Sequence, residues 1–197
     1  MTILILSTGG TIGALPYKDL KNPPRVTTMP PKGQDFLRQA LQKIPNIKHR
    51  YIAMEARDSN TMDDAYRQSL VDTIKTSPET MALVTHGTDG LVTTAEFLHK
   101  KYFTEAALKN KTIVLTGAMV PLSCGAESDG LPNLRFALNR LEQGQIKQGV
   151  YIVLSDYQDE DTQTGWAPRL YRFEPGQYKK IYDPEDGRRS RIKRTGS

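Results

Sequence analysis

Cysteine is almost missing from this chain. Cys124 stands alone among 197 residues, which excludes an intrachain disulfide and any paired-cysteine zinc or redox motif and fits a reducing compartment. Long apolar runs are missing too: nothing approaches the roughly 18 residues a membrane span needs. The start, Met1-Thr-Ile-Leu-Ile-Leu6, lacks the basic region and cleavage site of an export signal. These absences point to a soluble, cytoplasmic protein with no membrane partner. A distributed excess of charge is also lacking. The formal net charge is +5, but Arg188, Arg189, Arg191, Lys193 and Arg194 carry all of it, and residues 1–187 are balanced. Basicity confined to a short tail is a poor footprint for a nucleic-acid face, so nucleic acid is not expected as a partner. The length suits one domain, 1–187, followed by a basic tail, 188–197, with no packed structure.

What is present is alternation. Thr2–Ser7, Arg50–Met54, Met81–Thr85, Thr112–Thr116 and Val150–Leu154 are short apolar runs of the kind that form strands buried on both faces. Between them lie helical patterns: Phe36, Leu37, Ala40, Leu41 and Ile44; Tyr66, Leu70, Val71 and Ile74; Leu91 to Tyr102; and Leu131, Leu134, Leu138 and Leu141. Strand and helix alternating in this way predict an α/β fold, a three-layer open and mostly parallel sheet with helices on both faces and right-handed crossovers. Ligands of such sheets bind beyond the carboxyl ends of the strands. The loops to read are therefore Thr8-Gly-Gly-Thr11, Arg57-Asp-Ser-Asn60, His86-Gly-Thr-Asp-Gly90, Gly117-Ala-Met119 and the acidic stretch from Asp156.

The first of these has neither GxGxxG nor GxxxxGK[ST] spacing, and prolines at 16, 23, 24, 30 and 31 keep a helix from following it. A phosphate cradle is therefore the poorer reading. Thr8 or Thr11 on the glycine turn could act as a nucleophile, or either could be an ordinary turn residue. Asp58 and Ser59 could bind the two charges of an amino acid, but the favoured reading is that one of them caps a helix starting near Asp63. Thr88 and Asp89, just before the Leu91 helix, carry the same ambiguity. His86 reads as a structural histidine and Cys124 as a small buried one. Asp156, Asp159, Glu160 and Asp161 read as a solvated loop, because their spacing matches no calcium loop. No metal is expected.

Thr8-Gly-Gly-Thr-Ile12, Asp58-Ser59, His86-Gly-Thr-Asp89 and Thr116-Gly-Ala-Met119 with Ser128-Asp-Gly130 occur in order, and together they resemble the bacterial-type L-asparaginase family. The resemblance runs over about residues 2 to 155, the extent of that family's N-terminal catalytic domain, so the chain is similar to a short-chain form. It implies Thr11 as primary nucleophile, Thr88 as the second catalytic threonine, and Tyr17 as a lid tyrosine orienting Thr11; the stretch that carries it, Gly13 to Lys32, has five prolines and few apolar residues and is expected to be mobile. It further implies Ser59 on the substrate carboxylate, Asp89 and, more weakly, Asn60 on the ammonium, and the backbone around Ala118 against the side-chain amide. The activity implied is hydrolysis of L-asparagine to aspartate and ammonia, with a small amino-acid amide as partner, no cofactor, and a homodimer as the expected assembly. Two departures stand out. Gly90 replaces a threonine that usually follows the HGTD stretch. The family's lysine after the fifth strand falls on Trp166 in an ungapped continuation, with Arg169 or Lys179 as substitutes. The alternative reading is an altered, non-catalytic member that binds an amino acid.

Overall fold

The computed structural model describes residues 1–19, 21, 28–31, 33–156, 167–174 and 177–180. Trp166, the stretch 157–161 and the tail 188–197 lie outside them, as do residues 20, 22–27 and 32 of the proline-rich stretch and the Lys179 side chain.

The chain runs β1 (Ile3–Ser7), α1 (Phe36–Gln42), β2 (His49–Ala53), α2 (Asp64–Thr76), β3 (Met81–Thr85), α3 (Thr88–Thr104), β4 (Thr112–Thr116), α4 (Gly130–Glu142), β5 (Gly149–Asp156), β6 (Ala167–Glu174) and β7 (Gln177–Lys180). The strands form one sheet in the order β2-β1-β3-β4-β5-β6-β7. The first five are parallel, and β6 and β7 add as antiparallel strands. Sequence reading missed β6 and β7, because Ala167-Pro-Arg-Leu-Tyr-Arg-Phe-Glu174 interrupts its apolar residues with charge and a proline.

Period-two alternation explains the layers. Ile3, Ile5, Leu83 and Val114 face one side with Leu37 and Leu41 of α1 and Leu134, Leu138 and Leu141 of α4. Leu4, Leu6, Val84 and Leu115 face the other with Leu70 and Ile74 of α2 and Leu91 and Leu98 of α3. β1, β3 and β4 are buried nearly throughout, which is why their sequences read as unbroken apolar runs.

This placement of helices corrects one expectation. The units β2-α2-β3 and β3-α3-β4 advance in one direction along the sheet and carry their helices on one face, and β1-α1-β2 advances in the other direction on the opposite face. These three share a hand. The unit β4-α4-β5 advances with the first two but carries α4 on the α1 face, so it has the opposite hand. Right-handed crossovers are the rule, so this is the exception. The connection from Gly117 to Asp129 carries the chain across, through a 3-10 segment at Leu122–Glu127 packed against α1 and the Thr11–Gly13 turn.

Candidate active site

β1 leads back to an edge strand while β3 leads onward to β4, so the connections diverge and leave a crevice beyond the carboxyl ends of β1 and β3. The two loops bordering it touch through glycines. Gly10 has φ 78°, and a Cβ there would stand 2.4 Å from the Gly87 nitrogen. Only glycine allows both that φ and that approach.

Thr8 is fully buried, and its Oγ donates to the Thr85 carbonyl at 2.8 Å. The hydroxyl is spent on holding two strands together. Thr11 is half-buried and opens a 3-10 turn through Gly13, closed by Gly13 N to Gly10 O at 3.1 Å and Ala14 N to Thr11 O at 3.0 Å. The Tyr17 phenol lies beside its hydroxyl. Burial pushes the Tyr17 pKa up, Thr11 opposes that shift, and the neighbouring Cys124, Asp129 and Asp89 reinforce it. Leu15 N donates to Thr28 O at 2.8 Å, and Ser123 Oγ donates to Ala14 O at 2.8 Å, so the chain just before Tyr17 is tied down.

α3 starts at Thr88, three residues earlier than the apolar period suggests, and its N-cap Gly87 supplies no side-chain bond. Thr88 and Asp89 therefore form its first turn, half-buried and exposed respectively. Across from them, Asp58 is exposed and its carboxylate accepts from Asn60 N at 2.9 Å, capping a 3-10 turn at Ser59–Thr61. The helix expected to be capped by Asp58 or Ser59 is capped by Asp63, which accepts from Tyr66 N at 2.8 Å. Asn60 Nδ2 donates to Asp89 at 3.2 Å, and Ser59 Oγ accepts from Gly90 N at 3.1 Å. On the β4 side, Ala118 is fully buried, and a Cβ on Gly117 would meet the Thr88 methyl at 3.2 Å. Thr11, Tyr17, Ser59, Asn60, Thr88 and Asp89 thus gather around the Gly10–Gly87 contact, with Asp58 serving the turn.

His86 is fully buried beneath the loops, where Nδ1 donates to the Gly87 carbonyl at 2.8 Å and burial lowers its pKa. That fits a structural role. Cys124 corrects its expectation: it is half-buried, in the 3-10 segment after β4. Arg169 lies on β6 opposite Leu154, on the α3 side of the sheet. Two buried residues escaped the reading of roles. Asp129 accepts from Met119 N at 3.0 Å and Val120 N at 2.9 Å, and Asn133 donates to Gly117 O at 3.0 Å while accepting from Ser155 Oγ at 2.7 Å. Together they hold the β4 loop. The available signal was a polar Asn133 inside the leucine face of α4. Among the described residues, no three His, Cys, Asp or Glu stand together as a metal cage, and no helix is long and apolar enough to cross a membrane.

The sequence matches the family model for the asparaginase N-terminal domain over residues 2–168. No curated protein sequence matches it. Solved structures with the same fold include L-asparaginase I from Vibrio cholerae O1 biovar eltor, with a TM-score of 0.62 at 24% identity over 91% of this chain and 50% of that one. A probable cytoplasmic L-asparaginase from Campylobacter jejuni gives 0.61 at 21% over 91% and 58%. The thermostable L-asparaginase from Thermococcus kodakarensis gives 0.55 at 19% over 93% and 57%. The chain thus spans between 50% and 58% of the length of these relatives.

Proposed function

Because this chain belongs to the asparaginase family, we propose that it is an amidohydrolase that converts L-asparagine to L-aspartate and ammonia with Thr11 as nucleophile. The observation that carries this is the division of labour between the two threonines of the glycine turn: Thr8 is buried and bonded to the backbone, while Thr11 reaches the crevice and meets Tyr17. Thr11 Oγ adds to the side-chain amide carbon. Its proton passes to the amide nitrogen, the C–N bond breaks, ammonia leaves, and a threonyl ester remains. Water then adds to the ester, the C–Oγ bond breaks, and Thr11 recovers its proton as aspartate departs. Tyr17 holds the Thr11 hydroxyl so that a lone pair faces the substrate. Thr88, at the positive end of α3, serves the proton transfers beside it.

Recognition uses both charges of the amino acid. Ser59 takes the α-carboxylate, Asp89 takes the ammonium with Asn60 steadying it, and the backbone at Ala118 lies against the amide. The one-cysteine composition agrees with a cytoplasmic setting. A second reading, amino-acid binding without turnover, is favoured by one observation: β5 and β6 contain no lysine, and an arginine side chain does not replace a lysine in proton transfer. Calorimetry with aspartate, run beside an ammonia assay with asparagine and glutamine, separates the two. We expect binding together with ammonia release from asparagine. Binding with no ammonia establishes the second reading, and the absence of both removes each of them.

A further inference from the structure

Gly90 is one of the two positions at which this chain leaves the family pattern, and the structure gives the glycine a steric reason. Its backbone is ordinary helix, so no special φ asks for glycine there. A Cβ at that point would stand 2.4 Å from the Ser59 carbonyl oxygen, 2.8 Å from its carbonyl carbon and 2.9 Å from its Cβ. Gly87 makes the same demand from the other side, where a Cβ would fall 2.6 Å from Ser59 Oγ. Ser59 therefore sits in a notch cut into the start of α3 by two missing side chains, and it is only 4% exposed.

That nesting determines what the hydroxyl can do. The first amides of a helix lack partners inside it, and the third is usually satisfied by the N-cap side chain. Gly87 has none, and Ser59 supplies the bond from a distant loop, accepting from Gly90 N at 3.1 Å. A hydroxyl has one hydrogen and two lone pairs. With Gly90 occupying a lone pair, the hydrogen remains to be given, and Ser59 has no acceptor for it among the described residues. A buried donor without an acceptor, beside the positive end of a helix, is arranged for an anion.

We propose that Gly90 is a positioning residue: by admitting Ser59 into contact with the start of α3 and donating to its oxygen, it makes Ser59 a one-way donor to the substrate α-carboxylate. This rests on the amino-acid reading of the site given above. The consequence is selectivity for amides that carry an α-carboxylate over 3-aminopropanamide, which is asparagine without that group.

The test uses the full chain, its Gly90→Ala and Ser59→Ala variants, and both amides. Gly90→Ala should raise the aspartate Kd and the asparagine KM about tenfold or more, the range expected for losing a hydrogen bond to a charged group, with kcat changed less than threefold. Its kcat/KM for 3-aminopropanamide should stay at the parent value. A merely structural loss would lower both substrates alike. Parent-like aspartate affinity in folded Gly90→Ala overturns this proposal and leaves the amidase reading standing. A parent protein that neither binds aspartate nor releases ammonia overturns both. Should Gly90→Ala fail to fold, the Gly90 amide resonance of the parent provides the second readout. Saturating aspartate should shift it in the parent and leave it unmoved in Ser59→Ala, and an amide that does not respond in the parent rejects the proposal.

Discussion

Thr8 and Thr11 are indistinguishable by residue type and by their neighbours, since each flanks the same glycine pair. Burial separates them. Thr8→Val removes a hydroxyl that only joins strands, so it should cost about 1 kcal/mol of stability in urea unfolding and leave kcat near the parent value. Tyr17→Phe should do the reverse, lowering kcat several-fold with KM nearly constant, because an orienting contact acts mainly in the transition state. Kinetics within twofold of the parent would reduce Tyr17 to cover for apolar surface. The sequence brought Thr11, Thr88, Asp89, Ser59 and Asn60 into view because each follows a strand. Asp129 and Asn133 stayed without a role because what they do, holding the β4 loop, depends on contacts between segments that no local pattern records.

At the scale of elements, the five parallel strands were legible because burial on both faces writes itself as continuous apolar runs. Helix starts were less so. The apolar period of α3 begins at Leu91, yet its first turn is Thr88-Asp89-Gly90, which packs by missing side chains and gives no hydrophobic signal. Capping was misread for a similar reason: Asp58 and Asp63 both precede a turn of helix, and only the backbone path shows that Asp58 serves the 3-10 turn and Asp63 serves α2. Asp63→Ala should cost about 1 kcal/mol, seen as a lower urea midpoint with an unchanged slope, whereas an unchanged midpoint would mean that water replaces the cap. The opposite hand of β4-α4-β5 was out of reach, since handedness depends on the route of a connection and the sequence records only its length.

For the whole molecule, the charged groups far from the site set the pH range of stability. Glu79 accepts from Arg50 at 2.8 and 2.7 Å and from Ser77, and these donors hold its carboxyl down at about 2 against an ordinary 4.5. A depressed carboxylate stabilises the fold above its unfolded pKa, so that contribution is lost as pH falls from about 4.5 toward 2. Burial raises Tyr51 and Tyr66 from 10.0 to about 12, which places their loss of stability on the alkaline side, between those values. Urea midpoints across the acid range should therefore fall less steeply in Glu79→Gln than in the parent, and superimposable acid limbs would remove Glu79 from the explanation. We also expect a homodimer, the commonest symmetric assembly, and a light-scattering mass of a single chain would contradict that.

The central claim is that Thr11 performs the hydrolysis. The most direct measurement is ammonia release from L-asparagine by the parent and Thr11→Ala side by side, with aspartate binding recorded for both. The parent should turn over, and Thr11→Ala should be slower by about a thousandfold or more, as expected when a nucleophile is removed, while it still binds aspartate. A Thr11→Ala rate within tenfold of the parent, or a parent that binds aspartate yet releases no ammonia, would contradict the claim.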